Sequence, residues 1–173
     1  MQPLCLYRNR VRPEWLDINQ HLNVAYYALL FDQASEAFMA HVGVDDAYIH
    51  ASGFSWVVLE SHTCFQRELG LDEPLGVEVQ VLGADAKRIH LFQTLMQVEQ
   101  GFKAATNELM ILHLDLNRRC AAPFPDPVAR RLGELAAAHR ELPEPPERGS
   151  RIGLARAGAQ GGRQGAPPEA DLV

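Results

Sequence analysis

Residues 17–42 read Asp17-Ile-Asn-Gln-His-Leu-Asn23 and then Val24-Ala-Tyr-Tyr-Ala-Leu-Leu-Phe-Asp-Gln-Ala-Ser-Glu-Ala-Phe-Met-Ala-His-Val42. The first seven residues are polar at every other position. From Val24 the period changes: Val24, Tyr27, Ala28, Phe31, Ala34, Ser35, Phe38 and Val42 recur at i, i+3, i+4, i+7 spacing, which predicts a helix over 24–42. Asn23 is suited to cap its start and Gly43 to stop it. Apolar residues occupy more than one side of this helix, so it is expected at the centre of the fold and not on its surface.

Around that helix the chain looks extended. A first strand is expected over 4–12, ended by Pro13, and a short helix over 44–51, ended by Gly53. Four long strand-like segments follow: Phe54–Leu69, Leu75–Leu82, Lys87–Glu99 and Lys103–Leu116. Their breaks are short, and a short break joins antiparallel neighbours because a parallel crossover needs a dozen residues or more. Residues 103–112 also fit a helix on propensity alone. Pro127–Glu141 is the second clear helix, with proline at its start. Strand, long helix, four antiparallel strands and a closing helix define an α+β domain.

The chain has 173 residues and a net charge of −6. Its length suits one domain with a real core. Its acidic balance argues against a nucleic-acid surface built from lysine and arginine. No apolar run is long enough to span a membrane, and the N-terminus lacks the basic-then-apolar order of a leader. Three widely spaced cysteines (Cys5, Cys64, Cys120) read as free thiols in a reducing cytoplasm, Cys64 as a small core residue. All aromatic residues lie at or before Phe124, whereas residues 141–173 hold 5 prolines, 6 glycines and no aromatic. The folded domain is therefore expected over 1–140. Residues 141–173 are expected to be a largely disordered extension, with Leu142, Ile152 and Leu154 available to pin its first part.

The loop before the helix carries the chemistry. Asp17, Asn19, His21 and Asn23 stand beside the positive end of a helix, whose free N–H groups can polarise a carbonyl oxygen. Asp17 then supplies a base or a nucleophile within the same few ångströms. Hydrolysis of an activated acyl group requires that pairing. The alternative is a capped turn whose Asp and Asn side chains satisfy backbone groups.

Asp17-x-Asn-x-His21-x-Asn23 followed by Tyr27, a long helix and four strands resembles the hotdog-fold acyl-CoA thioesterases of the 4-hydroxybenzoyl-CoA type. The resemblance implies a sheet wrapped around the long helix, a homodimer or homotetramer, and Asp17, His21 and Asn23 as the catalytic positions. Val11-Arg-Pro-Glu-Trp15, Glu60-Ser-His62, Asp85-Ala-Lys-Arg-Ile-His90, His113-Leu-Asp115 and Ala138-His139-Arg-Glu-Leu-Pro143 look more particularly like the thioesterases of carnitine catabolism, over about residues 10–155. Those imply betainyl-CoA as substrate and no cofactor. Gln20 departs from that subgroup, which usually has glycine there. A glycine permits backbone angles that glutamine finds costly.

Candidate substrate-binding residues are Trp15, Asn19, Tyr27, Phe31, Glu60 and His62. Aromatic faces near Asp17, Trp15 and Tyr27 first among them, would suit a quaternary ammonium group; the ordinary place for such rings is the core. Glu60 and His62 share a strand face, either towards the site or as an exposed pair. Lys87, Arg88 and His90 are a small basic cluster suited to the phosphates of CoA, or else a solvated strand end. No metal site is expected. The competing functions are hydrolysis of another short or aromatic acyl-CoA, and acyl-CoA binding without catalysis; a hydratase would need a second acid–base pair that is not evident.

Overall fold

The computed structural model describes residues 2–154. The strands are β1 (Leu4–Arg10), β2 (Phe54–Phe65), β3 (Pro74–Ala84), β4 (Arg88–Gln97), β5 (Phe102–Asp115) and β6 (Cys120–Ala121); the helices are α1 (Val24–Val42), α2 (Asp46–Ser52) and α3 (Asp126–His139). The order along the sheet is β1-β3-β4-β5-β2, all antiparallel, with β6 paired to the end of β5. Residues 103–112 are strand, so pairing with both β4 and β2 overrides their helical propensity. This curled sheet holds α1 inside it, as the hotdog resemblance implies.

α1 has the predicted bounds. Asn23 Oδ1 accepts the amide of Ala25 (3.0 Å), and Gly43 adopts the left-handed conformation (φ 100°) that ends the helix. Leu30, Ala34, Phe38 and Met39 are completely buried. They divide the core into two clusters along the helix: one around Trp15, Tyr27, Leu69 and Leu95 near its start, the other around Phe38, Val79, Leu91 and Ile111 near its end. Between them lies a fully bonded polar set. Gln93 Nε2 donates to the Phe31 carbonyl and to Ser35 Oγ, and Asn107 Nδ2 donates to Gln93 Oε1, each at 3.0 Å.

One expectation about topology is corrected. The break after β2 does not make a hairpin with β3: β2 lies at the far edge against β5, and β3 sits between β1 and β4. The reason lies in residues 66–73, which leave the sheet and cross its end. Leu69 is fully buried, the amide of Leu22 donates to its carbonyl (2.8 Å), and Val11 donates to the Glu73 carbonyl (3.0 Å). Local periodicity carries no information about which distant strand a segment meets.

α3 and the residues after it lie against β3 and the outer face of the sheet. His139 is buried and its Nδ1 accepts the Val81 amide (2.9 Å); burial holds its pKa below the usual imidazole value. The expected boundary at 140 falls inside a bonded structure. Glu147 accepts from Lys103 Nζ (2.8 Å) and Gln66 Nε2 (2.6 Å), while Glu108 accepts the Gly149 amide (2.6 Å). Burial pushes the Glu147 carboxyl up, but those donors outweigh it and leave the pKa lowered. Thus Glu147 fixes the start of the extension, whereas Ile152 and Leu154 are almost fully exposed. The rest of the expected extension, 155–173, lies outside the described residues.

Candidate active site

The Asp17 loop is built by backbone pairing on both sides. Asp17 N donates to the His21 carbonyl (2.9 Å), Asn23 N to the Trp15 carbonyl (2.9 Å), and His21 bridges to Gly70. Closing so tight a loop puts Gln20 at φ 64°, the left-handed region where a glycine would be at ease. The departure at Gln20 therefore keeps the geometry and bears its cost.

Asp17 Oδ1 accepts the amides of Asn19 (2.8 Å) and His21 (3.3 Å), leaving Oδ2 outside both bonds. The carboxylate thus forms the turn with one oxygen and leaves the other outside it. Asn23 is occupied as the helix cap: its side chain takes the Ala25 amide and its carbonyl the Tyr26 amide (2.9 Å). Among the described residues the amide of Val24, the first of α1, has no hydrogen-bond partner. A loose N–H at a helix start can polarise an acyl carbonyl, and a free carboxylate oxygen in the loop that leads into the helix can attack its carbon or activate water.

Tyr27 reaches this loop from α1. It is buried and meets the ring of Phe65 edge-on at 5.1 Å. Burial, together with the charges of Glu68, Asp17 and Glu73, pushes its hydroxyl up to about 12. It therefore stays protonated, a donor and not a base. Asn19 is exposed and contributes its amide to the turn. Two acidic residues that the sequence reading missed stand beside the loop. Glu68 Oε2 is 3.0 Å from His21 Nδ1, and Glu73 Oε2 accepts the Gly70 amide (2.9 Å). In sequence Glu68 looks like the end of a strand; only the crossing of residues 66–73 turns it to the loop.

Several predicted members are elsewhere. Trp15 is buried, with Tyr26 stacked on its ring at 5.6 Å and the Arg12 guanidinium 4.8 Å from its centre, so its faces are taken. Phe31 is buried beside a recess of about 100 Å³ under α1, whose walls include Asp32, Ser35, Ser61 and Thr63. Because Ser61 and Thr63 point inwards there, alternation turns Glu60 and His62 to the outer face of β2, away from Tyr27 and Phe65. His62 Nδ1 instead lies 3.7 Å from Cys64 Sγ.

The basic cluster is also apart. Arg88 pairs with Leu112 of β5, whereas the Asp17 loop adjoins Ala104 and Ala105 through residues 66–70. The two ends are about 24 Å apart along that strand. Arg88 Nε and Nη2 both donate to Asp85 Oδ2 (2.8 and 2.6 Å), and His90 Nε2 is 2.7 Å from Glu108 Oε1, leaving Lys87 exposed. The amides of Lys87 and Arg88 and the Arg88 guanidinium hold the Asp85 carboxyl below the usual carboxylate range. A groove of about 730 Å³ between β1, α1 and α2, lined by Tyr7, Glu36, Asp45 and Trp56 among others, contains no predicted site residue.

A curled antiparallel sheet around a buried helix, with a carboxylate loop at the helix start, defines a hotdog-fold protein. The sequence model of the Thioesterase-like superfamily matches residues 11–132, and the chain belongs to that family of thioester hydrolases. It is 42% identical over 153 residues to a betainyl-CoA thioesterase of Pseudomonas aeruginosa, covering 88% of this chain and 96% of that protein. It is 34% identical over 154 residues to an L-carnitine dehydrogenase/betainyl-CoA thioesterase of Rhizobium meliloti, 89% of this chain but 31% of that longer one. A Staphylococcus aureus protein whose structure was determined with CoA superposes with a TM-score of 0.83 at 26% identity, covering 90% and 98% of the two chains. Among the described residues no helix is long and apolar enough to cross a membrane, and no cluster of side chains is arranged to hold a metal ion.

Proposed function

We propose that this chain hydrolyses betainyl-CoA in carnitine degradation, in the cytoplasm, with Asp17 as base or nucleophile and the start of α1 polarising the thioester carbonyl. The likeness over nearly the full length of the Pseudomonas aeruginosa thioesterase carries the substrate assignment. The Oδ2 of Asp17, left outside the turn bonds, and the Val24 amide at the start of the helix this loop leads into support the mechanism. Attack on the carbonyl carbon drives charge onto its oxygen, where the amide and the helix dipole stabilise it. The C–S bond then breaks and CoA leaves as the thiol. Tyr27 and Phe65, with Glu68 and Glu73 near, offer aromatic and anionic surroundings for a trimethylammonium group.

The working form is a homo-oligomer. β2 is an edge strand of 12 residues, and Val57, Val58, Leu59 and Phe65 on it are each 40–54% exposed. Such an edge invites a second strand. Antiparallel pairing with a second copy about Leu59 would set Phe65 of one chain near Phe54 of the other. The second copy's Lys87 and Arg88, three strand spacings or about 14 Å away, would then lie level with Ser61 and His62 of the first chain, on the Asp17-loop side of the pairing axis and about 13 Å short of Phe65 along the strand. The cluster that is distant within one chain thereby becomes available to the phosphates of CoA across the dimer. Measuring CoA release from a panel of thioesters tests the reading: preference for betainyl-CoA supports it, and no hydrolysis at all would leave only a binding role.

A further inference from the structure

We propose that Glu68 is a positioning residue for His21: its carboxylate holds the imidazole with Nδ1 protonated, so that Nε2 is presented at the loop as the acceptor of a proton from the attacking water. This rests on the reading that the loop hydrolyses a thioester and narrows it: the water proton goes to His21 and not to Asp17, which is left to attack the acyl carbon or to orient the water. The two side chains are brought together by backbone pairing, not by chance contact: His21 bridges to Gly70, and the Leu22 amide donates to the Leu69 carbonyl at 2.8 Å. Glu68 Oε2 then lies 3.0 Å from His21 Nδ1. That nitrogen is buried and off the line of any hydrogen bond, so a small rotation onto the carboxylate is the way to satisfy it. The imidazole as a whole is 39% exposed, and with Nδ1 covered its accessible edge is elsewhere on the ring.

A neutral imidazole has one N–H and one lone pair. A carboxylate at Nδ1 places the hydrogen there and the lone pair on Nε2. Hydrolysis consumes one water, which loses a proton as its oxygen bonds to the acyl carbon. Nε2 takes that proton while Glu68 stabilises the resulting positive ring. The C–S bond breaks, and the thiolate takes the proton back from Nε2. That is the order when Asp17 orients the water. When Asp17 attacks the acyl carbon first, the C–S bond breaks as the mixed anhydride forms and CoA leaves as thiolate; Nε2 then takes the proton of the water that opens the anhydride and passes it to the thiolate. Glu68 itself neither gains nor loses a proton.

The test uses the full chain labelled with ¹⁵N-histidine, the His21 signals being assigned from their loss in His21→Asn. At about pH 8.5, where an ordinary imidazole is neutral, wild type is expected to show protonated Nδ1 and unprotonated Nε2, and Glu68→Ala to lose that preference. In steady-state hydrolysis, Glu68→Ala is expected to lower kcat by about 10- to 100-fold with KM changed less than about twofold. Glu68→Gln, whose amide oxygen still accepts the Nδ1 hydrogen, is expected to recover most of that loss. An unchanged nitrogen pattern in Glu68→Ala, or a kcat within about twofold of wild type, would overturn the proposal. If wild type cleaves no thioester, the functional reading fails, and the nitrogen pattern alone decides the role of Glu68.

Discussion

Replacing Asp17 with asparagine separates its two possible jobs. Asp17 Oδ1 forms the turn by accepting two amides, at 2.8 and 3.3 Å, and Asn offers an oxygen in the same place. The loop should therefore keep its shape. Exchanging charged for neutral acceptors should cost about 1 kcal/mol of stability, or roughly 2–4 °C in Tm for a chain of this size. The chemistry should suffer far more. An amide neither attacks a thioester nor orients a water with the charge of a carboxylate, and losing a positioned catalytic group of this kind costs about 10²- to 10⁴-fold, equal to about 2.7–5.4 kcal/mol of barrier. The assay is thiol release at saturating acyl-CoA, with calorimetry on the same samples. Asp17→Ala should lose the same activity and, lacking the turn bonds, about 1–2 kcal/mol more stability. An Asn variant with kcat within about threefold of wild type would reduce Asp17 to a turn former and refute the reasoning.

Gln20→Gly removes a left-handed glutamine worth about 1–2 kcal/mol but frees the unfolded chain by about 0.5–1; a Tm raised by up to about 6 °C is expected, and a fall would contradict the strain. Burial holds His139 below the unfolded imidazole value, so as pH falls the unfolded chain takes up its proton first. Its contribution to stability is complete above that range, declines below about pH 6.5, and levels off once pH passes the folded value. Denaturant titrations should show His139→Gln flattening this decline; an unaltered slope would contradict the burial argument. Leu59→Lys puts a charge on the exposed edge of β2, and light scattering should show a smaller assembly than wild type with activity lost alongside. A wild-type chain that is already monomeric would dismiss the composite site.

What was legible in the sequence was local. The helix over 24–42, its Asn23 cap and its Gly43 stop follow from spacing and side-chain chemistry, and they occur with those bounds. The strain at Gln20 followed from comparing one residue with a resembling motif. Contacts between distant segments were not legible. The position of β2 against β5 depends on residues 66–73 crossing the sheet end, and so does the approach of Glu68 to His21. Trp15 looked available because nothing local shows that Arg12 and Tyr26 cover its ring. Glu60 and His62 were rightly placed on one face, but alternation alone does not say which face meets α1. The basic cluster was recognised by charge, while its distance from the loop appears only in the register of β4 against β5.

The central claim is that the Asp17 loop at the start of α1 hydrolyses a small cationic acyl-CoA. Its most direct test is kcat/KM of the wild-type chain for betainyl-CoA beside an uncharged isostere in which a tert-butyl group replaces the trimethylammonium. The two acyl groups have nearly the same shape, so their ratio isolates the charge. Attraction by aromatic faces alone should favour the cation by about 0.5–2 kcal/mol, a factor of roughly 2 to 30. Equal rates, or faster cleavage of the neutral thioester, would contradict the account.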